Sequence, residues 1–162
     1  AVYNPNLNVM IVFGGSDESG NRYNDLWVLS DANGLGGTPA WTEIFPTGGP
    51  PTARDSQSAV YDVADDRMTI YGGSCCGSGT STQILGDAWV LSNATGMTGT
   101  PTWTELGPFK RSPDRTAHTG VYNASTNQMT IFGGAATVSG NSTNSVWILS
   151  KANGLSPSEM DK

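Results

Sequence analysis

The chain has 162 residues, enough for one domain with a sizeable core and too few for two full ones. Only 14% of them are charged, the formal net charge is -6, and lysine occurs three times, at Lys110, Lys151 and Lys162. This balance repels polyphosphate and anionic lipid and argues against nucleic acid as a partner, and no apolar run approaches the roughly 20 residues of a membrane-spanning helix.

In chain order the first predicted element is AVYNPNLNVMIVFGG from Ala1. Two segments rich in β-branched and aromatic residues flank an Asn-containing turn, which predicts a hairpin. The pair Gly14-Gly15 closes it, where chain reversal or close backbone approach favours residues without Cβ. A third strand, NDLWVLS (24–30), and a fourth, PAWTEI (39–44), follow. The pattern restarts as AVYDVADDRMTIYGG from Ala59, with GDAWVLS (86–92) and PTWTEL (101–106), and again as GVYNASTNQMTIFGG from Gly120, with NSVWILS (144–150). No WTE-like segment follows the third copy, so eleven strands are predicted: four, four and three. The units span 1–46, 52–106 and 113–150, with a tail at 151–162.

Such a unit, repeated three times with MIVFGG, MTIYGG and MTIFGG and the spaced tryptophans Trp27, Trp89 and Trp147, resembles the kelch repeat. The resemblance implies an all-β fold: a segment of a β-propeller with about three four-stranded blades, the third lacking its outer strand. Trp27, Trp89 and Trp147 are then inter-blade core rather than ligand platforms. Three blades leave two apolar faces open, so the chain is expected either to belong to a longer propeller or to pair with a copy of itself, completing a ring of about six blades. The outer sides of the first and third units would form that junction, with Trp27 and Trp147 among the buried aromatics.

Strand alternation brings the GG loops and the blade-to-blade connections to one face of the ring. That face carries Arg22, Tyr23, Phe45, Phe109, Lys110 and Arg111, the candidate binding residues, since rigid scaffolds commonly carry function on such loops. Arg54 and Arg115 occupy equivalent positions in ARDSQSAVY and DRTAHTGVY, and Asp25 and Asp87 repeat just before Trp27 and Trp89, with Ser145 in the third copy. Structural charge-assisted pairs between these arginines and aspartates are expected, because a partly buried Arg needs such a partner; a substrate-clamping Arg is the alternative. His118, the single histidine, matches Gln57 of the preceding unit, which favours a structural hydrogen bond over catalysis. Asp62, Asp65 and Asp66 lack the calcium-loop pattern and read as a polar turn. Asn93, Asn123 and Asn141 fit the N-x-S/T acceptor pattern of a eukaryotic secretory pathway.

Cys75 and Cys76, the only cysteines, are adjacent in the longest of the three GG loops. A metal site is disfavoured, because adjacent side chains diverge and no C-x-x-C or His-rich surround exists. Free thiols, intermolecular bridges and a bond between the two remain. A vicinal disulfide stiffening the loop is the expectation, with Gly73 and Gly77 absorbing the distortion of a short closed ring.

The expected function is a binding module without catalysis, recognising a protein or a carbohydrate, with no cofactor and no metal. A propeller-based hydrolase, lyase or oxidase, or a purely structural cell-surface repeat, are the alternatives. The expected setting is extracellular, cell-surface or periplasmic, of bacterial type.

Overall fold

Alternating apolar residues and Gly- or Asn-rich turns set the register of every hairpin in this chain. The computed structural model describes residues 1–77, 81–107, 109, 112–138 and 140–162. It contains twelve strands: β1 (Val2–Asn4), β2 (Val9–Ser16), β3 (Arg22–Ser30), β4 (Ala40–Ile44), β5 (Ser58–Asp62), β6 (Arg67–Cys75), β7 (Gln83–Ser92), β8 (Thr102–Leu106), β9 (Thr119–Asn123), β10 (Gln128–Phe132), β11 (Val146–Ser150) and β12 (Glu159–Asp161). They form three four-stranded antiparallel sheets, β1 to β4, β5 to β8 and β9 to β12, each in simple sequence order. The inner strands lie side by side, β1 against β5 and β5 against β9, as in blades around an axis. Among the described residues there is no α-helix, and no helix long and apolar enough to cross a membrane.

The third blade has its outer strand, which corrects the reading of a three-stranded unit and of residues 151–162 as a tail. Met160 pairs with Leu149 in the register in which Trp103 pairs with Leu91 and Trp41 with Leu29. Met160 is 8% exposed and enters the core. The strand escapes a search for WTE because methionine fills the tryptophan position, and because that position lies ten residues beyond Ser150 instead of eleven as after Ser30 and Ser92.

Strand periodicity divides the core in two. One cluster joins Val9, Ile11, Phe13, Leu26 and Val28 of the first blade to Met68, Ile70, Leu91 and Trp103 of the second. Phe13 meets Trp103 edge-on, with ring centroids 4.9 Å apart. The other joins Val60, Tyr71, Ala88 and Val90 of the second blade to Met129, Ile131, Leu149 and Met160 of the third. The middle blade is thus covered on both sides, whereas β2 and β10 bury alternate residues only.

Polar groups tie the hairpin ends in the same repeating way. Asn8, Asp66 and Asn127 each adopt a positive φ, 54°, 51° and 50°, before the second strand of a blade, a conformation that short polar side chains tolerate. Each accepts a backbone N–H from the loop after the third strand: Asn33 to Asn8, Thr95 to Asp66 and Asn153 to Asn127. A tyrosine hydroxyl donates to each as well, from Tyr3, Tyr61 and Tyr122.

Candidate recognition face

The double glycines let the connections between blades cross the loop face. A Cβ on Gly14 would sit 2.8 Å from the Arg54 carbonyl oxygen, and one on Gly72 would sit 2.5 Å from that of Arg115. Both glycines also have left-handed φ, 60° and 62°. Through this gap the first connection bonds to both blades: Gly15 N–H donates to Arg54 O, Arg54 N–H to Tyr23 O, and Asp55 and Ser74 exchange backbone bonds. Beyond β4 the same connection runs along β8, where Thr47 N–H donates to Pro101 O and Trp103 N–H to Thr47 O.

Arg54 anchors this crossing. Its side chain is fully buried; Nη1 and Nη2 each donate to a different Asp87 carboxylate oxygen at 2.7 Å, Nη1 also donates to Gly72 O at 3.0 Å, and Nε donates to Thr52 O at 3.0 Å. Asp87 in turn accepts the indole N–H of Trp89 at 2.8 Å. The other members differ. Arg115 meets no carboxylate among the described residues; it donates to Ser145 Oγ at 3.1 Å and to Asp114 O, and its Nε is buried without a partner. Asp25 accepts the Trp27 indole N–H at 2.7 Å.

Beside Arg54 lies a cleft of about 310 Å³ lined by Gly20, Asn21, Arg22, Thr52, Ala53, Cys76 and Gly77. It is walled by loops from both first blades and floored by the connection between them. Arg22 enters at the start of β3, its Nε donating to Asp55 Oδ2 at 2.9 Å and its Nη1 to Gly77 O at 3.1 Å. These bonds fix the guanidinium while its Nη2 makes no hydrogen bond to a described residue. Tyr23 is exposed and donates its hydroxyl to Asp17 Oδ2 at 2.9 Å. Phe45 is 78% exposed at the outer edge of the first blade. Phe109 packs against the second core cluster, so it supports the fold. Lys110 and Arg111 lie outside the described residues.

Cys75 and Cys76 stand side by side as two thiols in this structure. Cys75 ends β6 with its side chain buried and its Sγ 3.9 Å from Gln83 Oε1. Cys76 leaves the strand at φ 45° and is exposed in the cleft wall. Burial pushes the Cys75 thiol up to about 12, helped by Cys76, so it is inert as a nucleophile.

His118 stands apart from the cleft. It is 8% exposed, with its Nε2 2.7 Å from Ser58 Oγ and its ring edge-on to Tyr71. Burial, with the Arg115 guanidinium second, depresses it to about 4. The acidic turn clasps the third blade through Asp62, whose Oδ2 accepts from Tyr122 and Asn153, while Asp66 accepts from Thr95, Thr98 and Tyr61 within its own blade. Burial pushes the Asp62 carboxyl up, but the bonds donated by Asn153, Tyr122 and the backbone outweigh it and hold it below the usual range. Among the described residues no three His, Cys, Asp or Glu side chains are grouped to hold a metal ion.

Comparison with known proteins agrees with this geometry. Residues 1–153 match the KLHDC2/KLHL20/DRC7 Kelch-repeats domain. No curated protein sequence matches the chain. Among solved structures the chain is similar to YjhT, a kelch-type propeller protein, with a TM-score of 0.68 at 14% identity over 96% of this chain and 43% of that one. The chain therefore spans less than half of that relative, and the likeness carries the fold alone. Three blades with GG-gated crossings, matched over nearly their whole length, place the chain in the kelch-repeat β-propeller family.

Proposed function

We propose that the chain is a kelch-propeller recognition module that binds an extended protein segment through the cleft beside Arg22, without chemistry of its own. Kelch domains are commonly protein-interaction modules, and the observation that carries the reading to this site is the fixed guanidinium in a cleft between two blades. A held Arg loses little conformational freedom on meeting a carboxylate or backbone carbonyls. Asp55 balances its charge, which favours polar segments over strong polyanions. Tyr23 and Phe45 extend the same loop face with aromatic area suited to a polypeptide.

The test is selection of peptides from a displayed library on the intact chain, with a glycan array in parallel, followed by Arg22→Gln. The Arg22–Asp55 pair is partly exposed, with side chains 17% and 21% accessible, so its loss changes stability by about 1 kcal/mol or less. Selected peptides should bind the variant at least tenfold more weakly, with the melting temperature lowered by about 4 °C at most. Equal binding by the variant moves the site elsewhere, and glycan binding without peptide binding replaces the protein ligand by a carbohydrate.

A further inference from the structure

We propose that Arg115, Thr143, Ser145 and Trp147 form a binding site for a carboxylate in the third blade, at the place where the middle blade holds the carboxylate of its own Asp87. The inference concerns a different part of the molecule from the cleft beside Arg22 and does not rest on the reading given to that cleft.

The repeat shows what these donors are built to hold. In the middle blade the Asp87 carboxylate accepts from both terminal nitrogens of Arg54 at 2.7 Å and from the indole N–H of Trp89 at 2.8 Å. In the first blade Asp25 accepts the indole N–H of Trp27 at 2.7 Å. The third blade keeps the arginine and the tryptophan, but two residues before Trp147 it has Ser145. Trp147 lies opposite Ile131 in the register in which Trp27 lies opposite Val12 and Trp89 opposite Ile70. It packs into the core shared by the second and third blades, which corrects the expectation that it lies on the outer side of the third unit.

The exchange of aspartate for serine leaves donors in excess. A hydroxyl is neutral and has one oxygen where a carboxylate has two. Ser145 Oγ accepts one bond from Arg115 Nη2 at 3.1 Å and stands 2.7 Å from Thr143 Oγ1, while Arg115 Nη1 turns to the Asp114 carbonyl at 2.8 Å. Arg115 Nε and Trp147 Nε1 are buried without a partner among the described residues. Buried N–H groups normally find acceptors, and a guanidinium in such a place calls for a counter-charge. The Asp114 side chain feels the Arg115 charge but forms no ion pair with it among the described residues.

A carboxylate completes this set, its oxygens accepting from Arg115 and Trp147 as those of Asp87 accept from Arg54 and Trp89. The way in is from solvent, since the Asp87 side chain at the matching place is 26% exposed. All four residues belong to the third blade or to the connection that leads into it. The middle-blade set likewise takes its bonds from its own blade and the connection before it, through Thr52, Arg54, Gly72, Asp87 and Trp89. The deficit is therefore a property of position 145.

Formate, the carboxyl group without a chain, is the first probe. In the ¹⁵N-labelled intact chain at pH 7 and constant ionic strength, one of the five tryptophan indole N–H signals, the one missing from Trp147→Phe, should move downfield and saturate. Half-saturation is expected on the order of 1 to 100 mM, the range open to so small a ligand. A capped peptide with one aspartate is the second probe: tighter binding than formate identifies the occupant as a polypeptide carboxylate, weaker binding a free anion. Ser145→Asp supplies the carboxylate from within the blade. It should raise the melting temperature by about 2 to 4 °C, move the Trp147 signal without formate and abolish the response to it, and Arg115→Gln should abolish the response as well. The unaltered chain decides the matter even if a variant fails to fold: a Trp147 signal that ignores both probes, or follows them without saturating, overturns the proposal. An equal response in Ser145→Asp overturns it too.

Discussion

Arg54 shows how much one side chain carries in this fold. Its guanidinium donates four hydrogen bonds to protein oxygens, and removal of either partner of a buried pair leaves the other charge or carbonyls stranded. Arg54→Met should therefore cost about 3 to 5 kcal/mol in a urea titration, whereas Arg115→Met, which gives up a neutral Ser145 and one backbone oxygen, should cost about 1 kcal/mol. Equal losses would mean that the Asp87 pair contributes nothing special. His118 supplies a pH signature. An unfolded histidine titrates near 6.5 and the folded one at about 4, so between these values only the unfolded chain takes up the proton. Stability is full above about pH 6.5 and falls as the pH drops toward 4, by roughly 3 kcal/mol. Asp62, held low, adds its own loss as acid protonates it below the unfolded carboxylate range. Urea midpoints at pH 7.5 and 4.5 should differ accordingly, and His118→Gln, which installs the residue of the equivalent position 57, should flatten the difference; an unaltered difference would assign the acid loss elsewhere. Sequence repetition made Arg54 and Asp87 legible as a pair. It could not place Cys75 and Cys76, because the parity at which a strand ends depends on how the loop leaves it.

At the scale of elements, the blades were readable because the same four strands recur with the same alternation. What escaped was β12, where Met160 replaces a tryptophan and the preceding loop is shorter. A motif search weighs residue identity, while the sheet asks only for an apolar side chain opposite Leu149. Met160→Ala should lower the unfolding free energy by about 2 kcal/mol, at the low end for a buried methionine because the strand is terminal, and a thermal melt would register it. No loss would mean that the strand is ornamental. The direction of Trp147 was hidden for a related reason: Trp27, Trp89 and Trp147 all point toward the preceding blade's side of their sheets, and only strand pairing reveals that this side is open for the first blade and closed for the third. The cleft beside Arg22 was legible as a loop cluster and no further, because its walls come from residues far apart in sequence, Gly20 to Arg22, Thr52 and Cys76.

For the whole molecule, the middle blade is the one that packs against a neighbouring blade of this chain on both faces: from Met68 to Cys75 every residue of β6 is buried, with Met68 and Ile70 in the core shared with the first blade and Tyr71 in the core shared with the third. A change of size on either side of that strand must displace a neighbour across a junction, and a change that suits one junction has no bearing on the other. Sequence drift is therefore least tolerated at β6, and new binding specificities have more room to arise at the rims of the outer blades than at the centre, where two interfaces must be satisfied by one strand.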